Sequence, residues 1–299
     1  MSLKHFPYRA PTRPDSIGAP EDETRLGIDY DTAWARRYPV RLARALLMDG
    51  VTRPAVAIVA GPRLFGLDHL AGLHGPVIFA ANHASHIDTP ILLTSLPERF
   101  RHRCVVAGAA DYFFDKEWKA ALWSFAINAV PMERTKVSRR SATLPTELIG
   151  QGWSLLIYPE GGRSPDGFMH PFAGGAAYLA QRSGVPVVPI YLEGTRRILG
   201  KGKTTFRPAR TTVCFGAPMR PQDNENARRF SSRIEAAVAA LADELATDWW
   251  SARRRAAAGT TPTLSGPAQP DWRRAWAQGD EGGPDRKPNQ PRGKVWPPL

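Results

Sequence analysis

Pro76-Val-Ile-Phe-Ala-Ala-Asn82 runs directly into His83-Ala-Ser-His-Ile-Asp88-Thr-Pro90. The first part is a short apolar run of strand length. Pro90 suits a first helical residue, with Thr89 or Asp88 as its N-cap, so the stretch reads as strand, turn, helix. The same alternation continues along the chain. Cys104–Gly108, Ser154–Glu160, Val187–Leu192 and Thr211–Phe215 read as strands. Pro90–Leu96, Lys116–Ile127, Arg139–Ile149, Gly175–Arg182 and a long amphipathic segment, about Asn226–Trp249, read as helices. Such alternation predicts an α/β fold, a mostly parallel mixed sheet flanked by helices. Ligands of such sheets bind beyond the carboxyl ends of strands, so the turns after the strands are where chemistry is sought. Two prolines in Val185-Pro-Val-Val-Pro-Ile-Tyr191 point to an edge strand or a bent strand end.

His83 and Asp88 lie five positions apart, about 140° round an ideal helix, so they would not share a helical face. In a strand–turn–helix they converge, and a carboxylate on one imidazole nitrogen makes the other more basic. The spacing alone also fits a turn histidine beside a capping aspartate. Tyr158-Pro-Glu160-Gly161-Gly162-Arg163-Ser164 follows another strand. Its glycines let backbone approach a ligand and its arginine fork suits phosphate; a surface turn with a solvated arginine reads equally. Val130-Pro-Met-Glu-Arg134 places one more arginine after an apolar run.

Composition narrows the classes. The 299 residues are 42% apolar and 23% charged, which excludes a coiled coil, a collagen and a chain disordered throughout. Forty Lys and Arg against 28 Asp and Glu give a net charge of +12, pointing to anionic partners: a membrane surface, a phosphorylated substrate or nucleic acid. Cys104 and Cys214 stand too far apart for a zinc ribbon and read as small core residues of a reducing compartment. Met1–Pro14 has no apolar core of a secretory signal. The longest uncharged run, His69–Ile87, carries four histidines and is unsuited to hydrocarbon, so no transmembrane span is expected.

The chain divides into an irregular segment 1–31, an amphipathic helical motif 32–62, a main domain 63–250 and a basic Pro/Gly-rich tail 251–299 expected to be disordered. Within the tail, Asp271–Ala277 could form a short interaction helix. In the motif, Val40–Met48 sets Leu42, Ala45 and Leu46 on one face and Arg41 and Arg44 on the other, with Gly50 as a stop. A basic amphipathic helix with Trp34 and Tyr38 nearby can lie on an anionic bilayer, or pack its leucines on the domain.

Taken in order, NHASHID, the block ending at Arg134, YPEGGRS and VPVVPIY resemble the glycerophospholipid acyltransferase family, of the 1-acyl-sn-glycerol-3-phosphate (lysophosphatidic acid) acyltransferase type, over about Leu64 to Thr195. The resemblance implies that positions 32–62 are a membrane-docking helical motif. It implies His83 as catalytic base and Asp88 as its partner, with Asn82 and Ser85 supporting the turn. Arg134, Glu160, Gly161 and Arg163 would bind the acceptor's phosphate. Gly162 replaces the family's usual threonine and Tyr158 its phenylalanine, while Asn128 and Pro131 depart from the second block. The expected reaction moves a fatty acyl group from acyl-CoA or acyl-carrier protein to the hydroxyl of 1-acyl-glycerol 3-phosphate, glycerol 3-phosphate or another lysophospholipid. It needs no metal and no cofactor beyond the thioester co-substrate, and would occur at the cytoplasmic face of a membrane. Two other classes compete. His83, His86 and Asp88 could be metal ligands of a hydrolase, although the remaining histidines show no paired spacing. A non-catalytic protein binding anionic membranes also fits the charge, whereas no nucleic-acid-binding pattern is present.

Overall fold

The computed structural model describes residues 26–133, 139–164, 167–200 and 206–266. Seven strands form one sheet: β1 (Arg63–Phe65), β2 (Ile78–Ala81), β3 (Cys104–Ala109), β4 (Ala129–Met132), β5 (Ser154–Ile157), β6 (Val187–Glu193) and β7 (Thr212–Phe215). Their order is β1-β7-β6-β2-β5-β3-β4. All neighbours run parallel except β6 and β7. The sheet is thus mixed and mostly parallel, and helices cover both faces.

The inner strands read as unbroken apolar runs because both of their faces are buried. Phe79 and Ala81 of β2 join Leu156 of β5 and Val188, Ile190 and Leu192 of β6 in one core. The helices Arg53–Val59 and Asp88–Ser95 close that side through Val56, Ile91 and Leu92. Ile78 and Ala80 point the other way, with Leu155 and Ile157. There they meet the helices Arg139–Gly150, Gly175–Ser183 and Ala227–Ala246. β2 lies mid-sheet and the His83 turn follows it directly, so that turn opens at the centre of the carboxyl edge. Asn82 fixes it there. Its side-chain amide donates to Leu192 O at 2.9 Å and accepts from Leu192 N at 2.7 Å, continuing the β2–β6 ladder one step past Ala81↔Ile190.

Three expectations are corrected. β6 is an interior strand, not an edge. Pro189 is tolerated because its missing donor faces the end of β7. There its carbonyl accepts from Gly216 N at 2.8 Å and the β7 ladder starts only at Ile190↔Phe215. Pro131, by contrast, lies in the outermost strand β4, where an absent donor is harmless.

The amphipathic helix Tyr38–Leu47 packs its arginines inward rather than its leucines. Arg44 is only 8% exposed and donates to Ala35 O at 2.9 Å, while Arg41 lies 5.2 Å from the Trp153 ring centroid. Leu42 and Leu46 are 50% and 68% exposed. Gly50 does not end the helix; Met48–Thr52 continues as a wide π-type turn into Arg53–Val59.

Finally, regular structure extends past residue 250. Asn226 caps the long helix by accepting from Arg229 N, and the chain breaks at Thr247 and Asp248 before a further helix, Trp249–Ala258. Arg255 holds that helix down through two 2.7 Å bonds to Asp243. Residues 1–25, Arg134 and Asp271–Ala277 lie outside the described residues.

Replacing Asn82 with Leu strands both polar groups of Leu192 and should cost about 2–4 kcal/mol. The denaturant midpoint measures this; an unchanged midpoint would show the clip to be dispensable.

Candidate active site

Asp88 opens the helix that follows β2 and is fully buried. Its Oδ2 accepts from His83 Nδ1 at 2.8 Å, Ala84 N at 2.7 Å and Ser85 N at 2.8 Å. Oδ1 is buried with no hydrogen-bond partner. A buried carboxylate arranged in this way holds the imidazole in its Nδ1–H tautomer and turns Nε2 outward. Ser85 ties the turn to the rest of the domain, its hydroxyl donating to Leu199 O at 2.6 Å.

The ring is held from its face as well. Tyr158, one residue past β5, stacks on it with centroids 4.0 Å apart and planes 18° apart. The Tyr158 hydroxyl lies 2.9 Å from Thr89 Oγ1, on the same helix as Asp88. In the sequence Tyr158 shows only as a replacement of the family's phenylalanine, with no sign of this contact. The available signal was that Tyr158 directly follows a strand paired with β2, at the same end of the sheet as the His83 turn.

Glu160 is placed differently from the expectation of a phosphate contact. Its Oε1 accepts from His83 N at 2.6 Å and its Oε2 from His170 N at 2.9 Å. Both oxygens therefore brace backbone and neither is left to meet a phosphate. Burial pushes this carboxyl up to about 8, against the pull of the two amide donors. Gly161 has a φ of +70° and closes the turn onto Tyr158 O, which explains a glycine there. At Gly162 a Cβ would meet nothing within 4 Å, so the family's threonine would fit the same backbone.

An oxyanion cradle needs backbone amides that are not already engaged. Those of His83, Ala84 and Ser85 are engaged by Glu160 and Asp88, and those of Ile87 and Asp88 by Ser85.

A cavity of about 370 Å³ opens beside the imidazole. His83, His86 and Arg163 line its polar end; Val106, Ala107, Phe113, Trp123 and Met132 line the rest. Of the aromatic trio 112–114, Tyr112 and Phe113 face this cavity and Phe114 is buried in the core. Burial and the nearby Arg163 lower the His86 pKa and favour its neutral form. Cys104 and Cys214 lie elsewhere, buried, with thiols pushed up to about 12 and 11 by burial. Among the described residues, no group of three or more His, Cys, Asp and Glu is placed to hold a metal ion.

A parallel sheet with a His–Asp pair after its central strand, facing an apolar cavity, defines a class of enzyme-like α/β domains, and comparison with known proteins narrows it. Residues 62–193 match the family model described as Acyltransferase. The chain is 33% identical over 144 residues to the chloroplastic 1-acyl-sn-glycerol-3-phosphate acyltransferase BAT2 of Brassica napus, covering 46% of this chain and 38% of that one. It is 30% identical over 181 residues to a 1-acyl-sn-glycerol-3-phosphate acyltransferase of Chlamydomonas reinhardtii, covering 59% and 51%. The chain therefore spans about half or less of the length of these relatives. The crystal structure of the 1-acyl-sn-glycerophosphate acyltransferase PlsC of Thermotoga maritima has the same fold. It aligns with a TM-score of 0.55 at 22% identity over 73% of this chain and 84% of that one.

The raised Glu160 carboxyl has a signed consequence. In the unfolded chain it titrates near ~4.3, so between there and about 8 the folded protein binds the extra proton. Its contribution to stability is complete below that window and is lost as pH rises through it. Glu160→Gln should flatten this slope, read from urea midpoints at acid and mildly alkaline pH; an unaltered slope would show that Glu160 does not titrate there.

Proposed function

We propose that the protein is an O-acyltransferase that moves a fatty acyl group from a thioester to the hydroxyl of 1-acyl-glycerol 3-phosphate, forming phosphatidic acid. The observation that carries this reading is the 2.8 Å His83–Asp88 bond beside a cavity that is apolar at depth and lined by Arg163 at its polar end. The curated relatives named above support it.

In this mechanism Asp88 holds Nδ1–H, and Nε2 of His83 accepts the acceptor's hydroxyl proton as that oxygen attacks the thioester carbonyl. The new C–O bond forms and a tetrahedral oxyanion results. When it collapses the C–S bond breaks, and the imidazolium returns the proton to the departing thiolate. Asp88 keeps its bond to Nδ1–H between these steps, so the ring does not turn while it carries the proton. Tyr158 keeps the ring plane fixed. Arg163 pairs with the acceptor's phosphate beside a neutral His86, so binding at the phosphate orients the reacting hydroxyl. Glu160 acts as a brace that holds the His83 backbone. No step requires a resident cofactor.

The protein works docked on a lipid surface. The inverted helix supports this, because Leu42 and Leu46, with Ile58 of the next helix at 82% exposure, offer an apolar face to the outside. No helix among the described residues is long and apolar enough to cross a membrane, which fits docking through one leaflet. The buried arginines of the same helix contribute little to lipid attraction.

Incubation with palmitoyl-CoA and a small panel of acceptors, following free thiol, tests the reaction. Release with 1-acyl-glycerol 3-phosphate, reduced by at least about a thousandfold in His83→Ala, is expected. Near-normal release from a folded His83→Ala protein would overturn the base assignment. Release only with glycerol 3-phosphate would move the acceptor. Separately, Leu42→Glu with Leu46→Glu should abolish sedimentation with anionic vesicles while sparing turnover of a short-chain, water-soluble acceptor. Unimpaired sedimentation would place docking elsewhere.

A further inference from the structure

A second cavity, of about 300 Å³, borders His83. The two cavities lie on either side of the β2 end. The apolar one sits over the ends of β3 and β4, the second over the end of β6, where Tyr191, Leu192 and Glu193 line it. Its character is polar and mixed in charge: Asn82, Glu160, Ser164 and Glu193 contribute, with Arg196 as a cation. Thr195 also lines it; the residue is 1% exposed and its Oγ1 has no hydrogen-bond partner.

One wall comes from outside the family-matched residues. Thr263 and Leu264 line the cavity, reached after the helix that Arg255 pins to Asp243. Leu264 O accepts from Met169 N at 2.9 Å, and a Cβ on Gly266 would lie 2.5 Å from the Phe168 ring, so the segment presses closely on residues 168–169. The next residue, His170, donates its amide to Glu160, whose other oxygen holds the His83 backbone. The C-terminal segment is thereby stitched to the catalytic turn through one loop and one carboxyl group.

A thioester has two arms diverging from its carbonyl. With the acyl arm toward β3 and β4, the sulfur arm has to leave His83 in another direction, and the second cavity lies on the side that remains. The acceptor's phosphate is assigned to Arg163 in the first cavity, which leaves the second to the other substrate. A neutral chain of amides and hydroxyls suits it well. It would supply a partner for Thr195 Oγ1 and set its terminal phosphate toward Arg196.

We propose that this cavity holds the phosphopantetheine arm of the acyl donor, the chemistry shared by coenzyme A and a carrier protein, and that the segment 260–266 is a wall of that site. The proposal rests on the acyl-transfer reading but is tested apart from it. Calorimetric titration with phosphopantetheine alone needs no turnover. Binding to the full-length protein that Thr195→Val weakens about tenfold, and Leu264→Trp abolishes with the circular dichroism spectrum unchanged, is expected. No binding to the unmodified protein, or equal binding to all three, overturns it even where acyl transfer is intact. In steady-state assays, Thr195→Val should raise KM for palmitoyl-CoA or palmitoyl-carrier protein, whichever turns over, and leave acceptor KM unaltered. A rise in acceptor KM alone would assign the cavity to the acceptor instead. The donor that turns over distinguishes the two sources of the arm.

Discussion

A single carboxylate oxygen organises the centre of this molecule. Asp88 Oδ2 gathers the His83 imidazole and two consecutive backbone amides, which bends the chain after β2 and starts the next helix in the same act. Burial makes this binding strong, because a carboxylate with no solvent around it has only these donors to satisfy it. The surrounding contacts are arranged to keep that oxygen in place. Asn82 clips the strand end to β6, Ser85 anchors the turn to Leu199, and Glu160 holds His83 N from the neighbouring loop.

That constraint determines where substrates can go. With Nδ1 taken by Asp88 and one ring face covered by Tyr158, the imidazole has a single nitrogen and limited directions left. The cavities on either side of β2 occupy those directions, and their linings differ in kind: aliphatic and aromatic over β3 and β4, polar over β6. The proposed division of labour between two substrates would follow from the position of β2 within the sheet order rather than from any one residue.

Much of this was legible in the sequence. The strand–turn–helix at 76–96 reads from an apolar run, a histidine, an aspartate and a proline, all local features, although the helix begins at Asp88 after an Ile87 cap and Pro90 is its third residue, not its first. Local patterns failed where the answer depended on a distant partner. Val187–Glu193 carries a proline that argues for an edge, yet the strand sits inside the sheet because Gly216 and the late start of β7 absorb the missing donor. The helix Tyr38–Leu47 is amphipathic by any count, but which face turns inward was decided by Trp153, Ala35 and the Ser124 carbonyl, none of them adjacent in sequence to Arg41 or Arg44. Glu160 looked like part of a ligand loop and proved to be bound to backbone amides of His83 and His170.

The inverted helix has a consequence for how the molecule behaves away from lipid. Its arginines are tied into the domain, so it cannot roll over to hide Leu42 and Leu46 when no bilayer is present. Among the described residues nothing covers those side chains, so in plain buffer they stand open to any apolar surface they meet. Under the proposed docking, the same rigidity that presents this face to a bilayer would make self-association in plain buffer the expected behaviour of an unchanged fold.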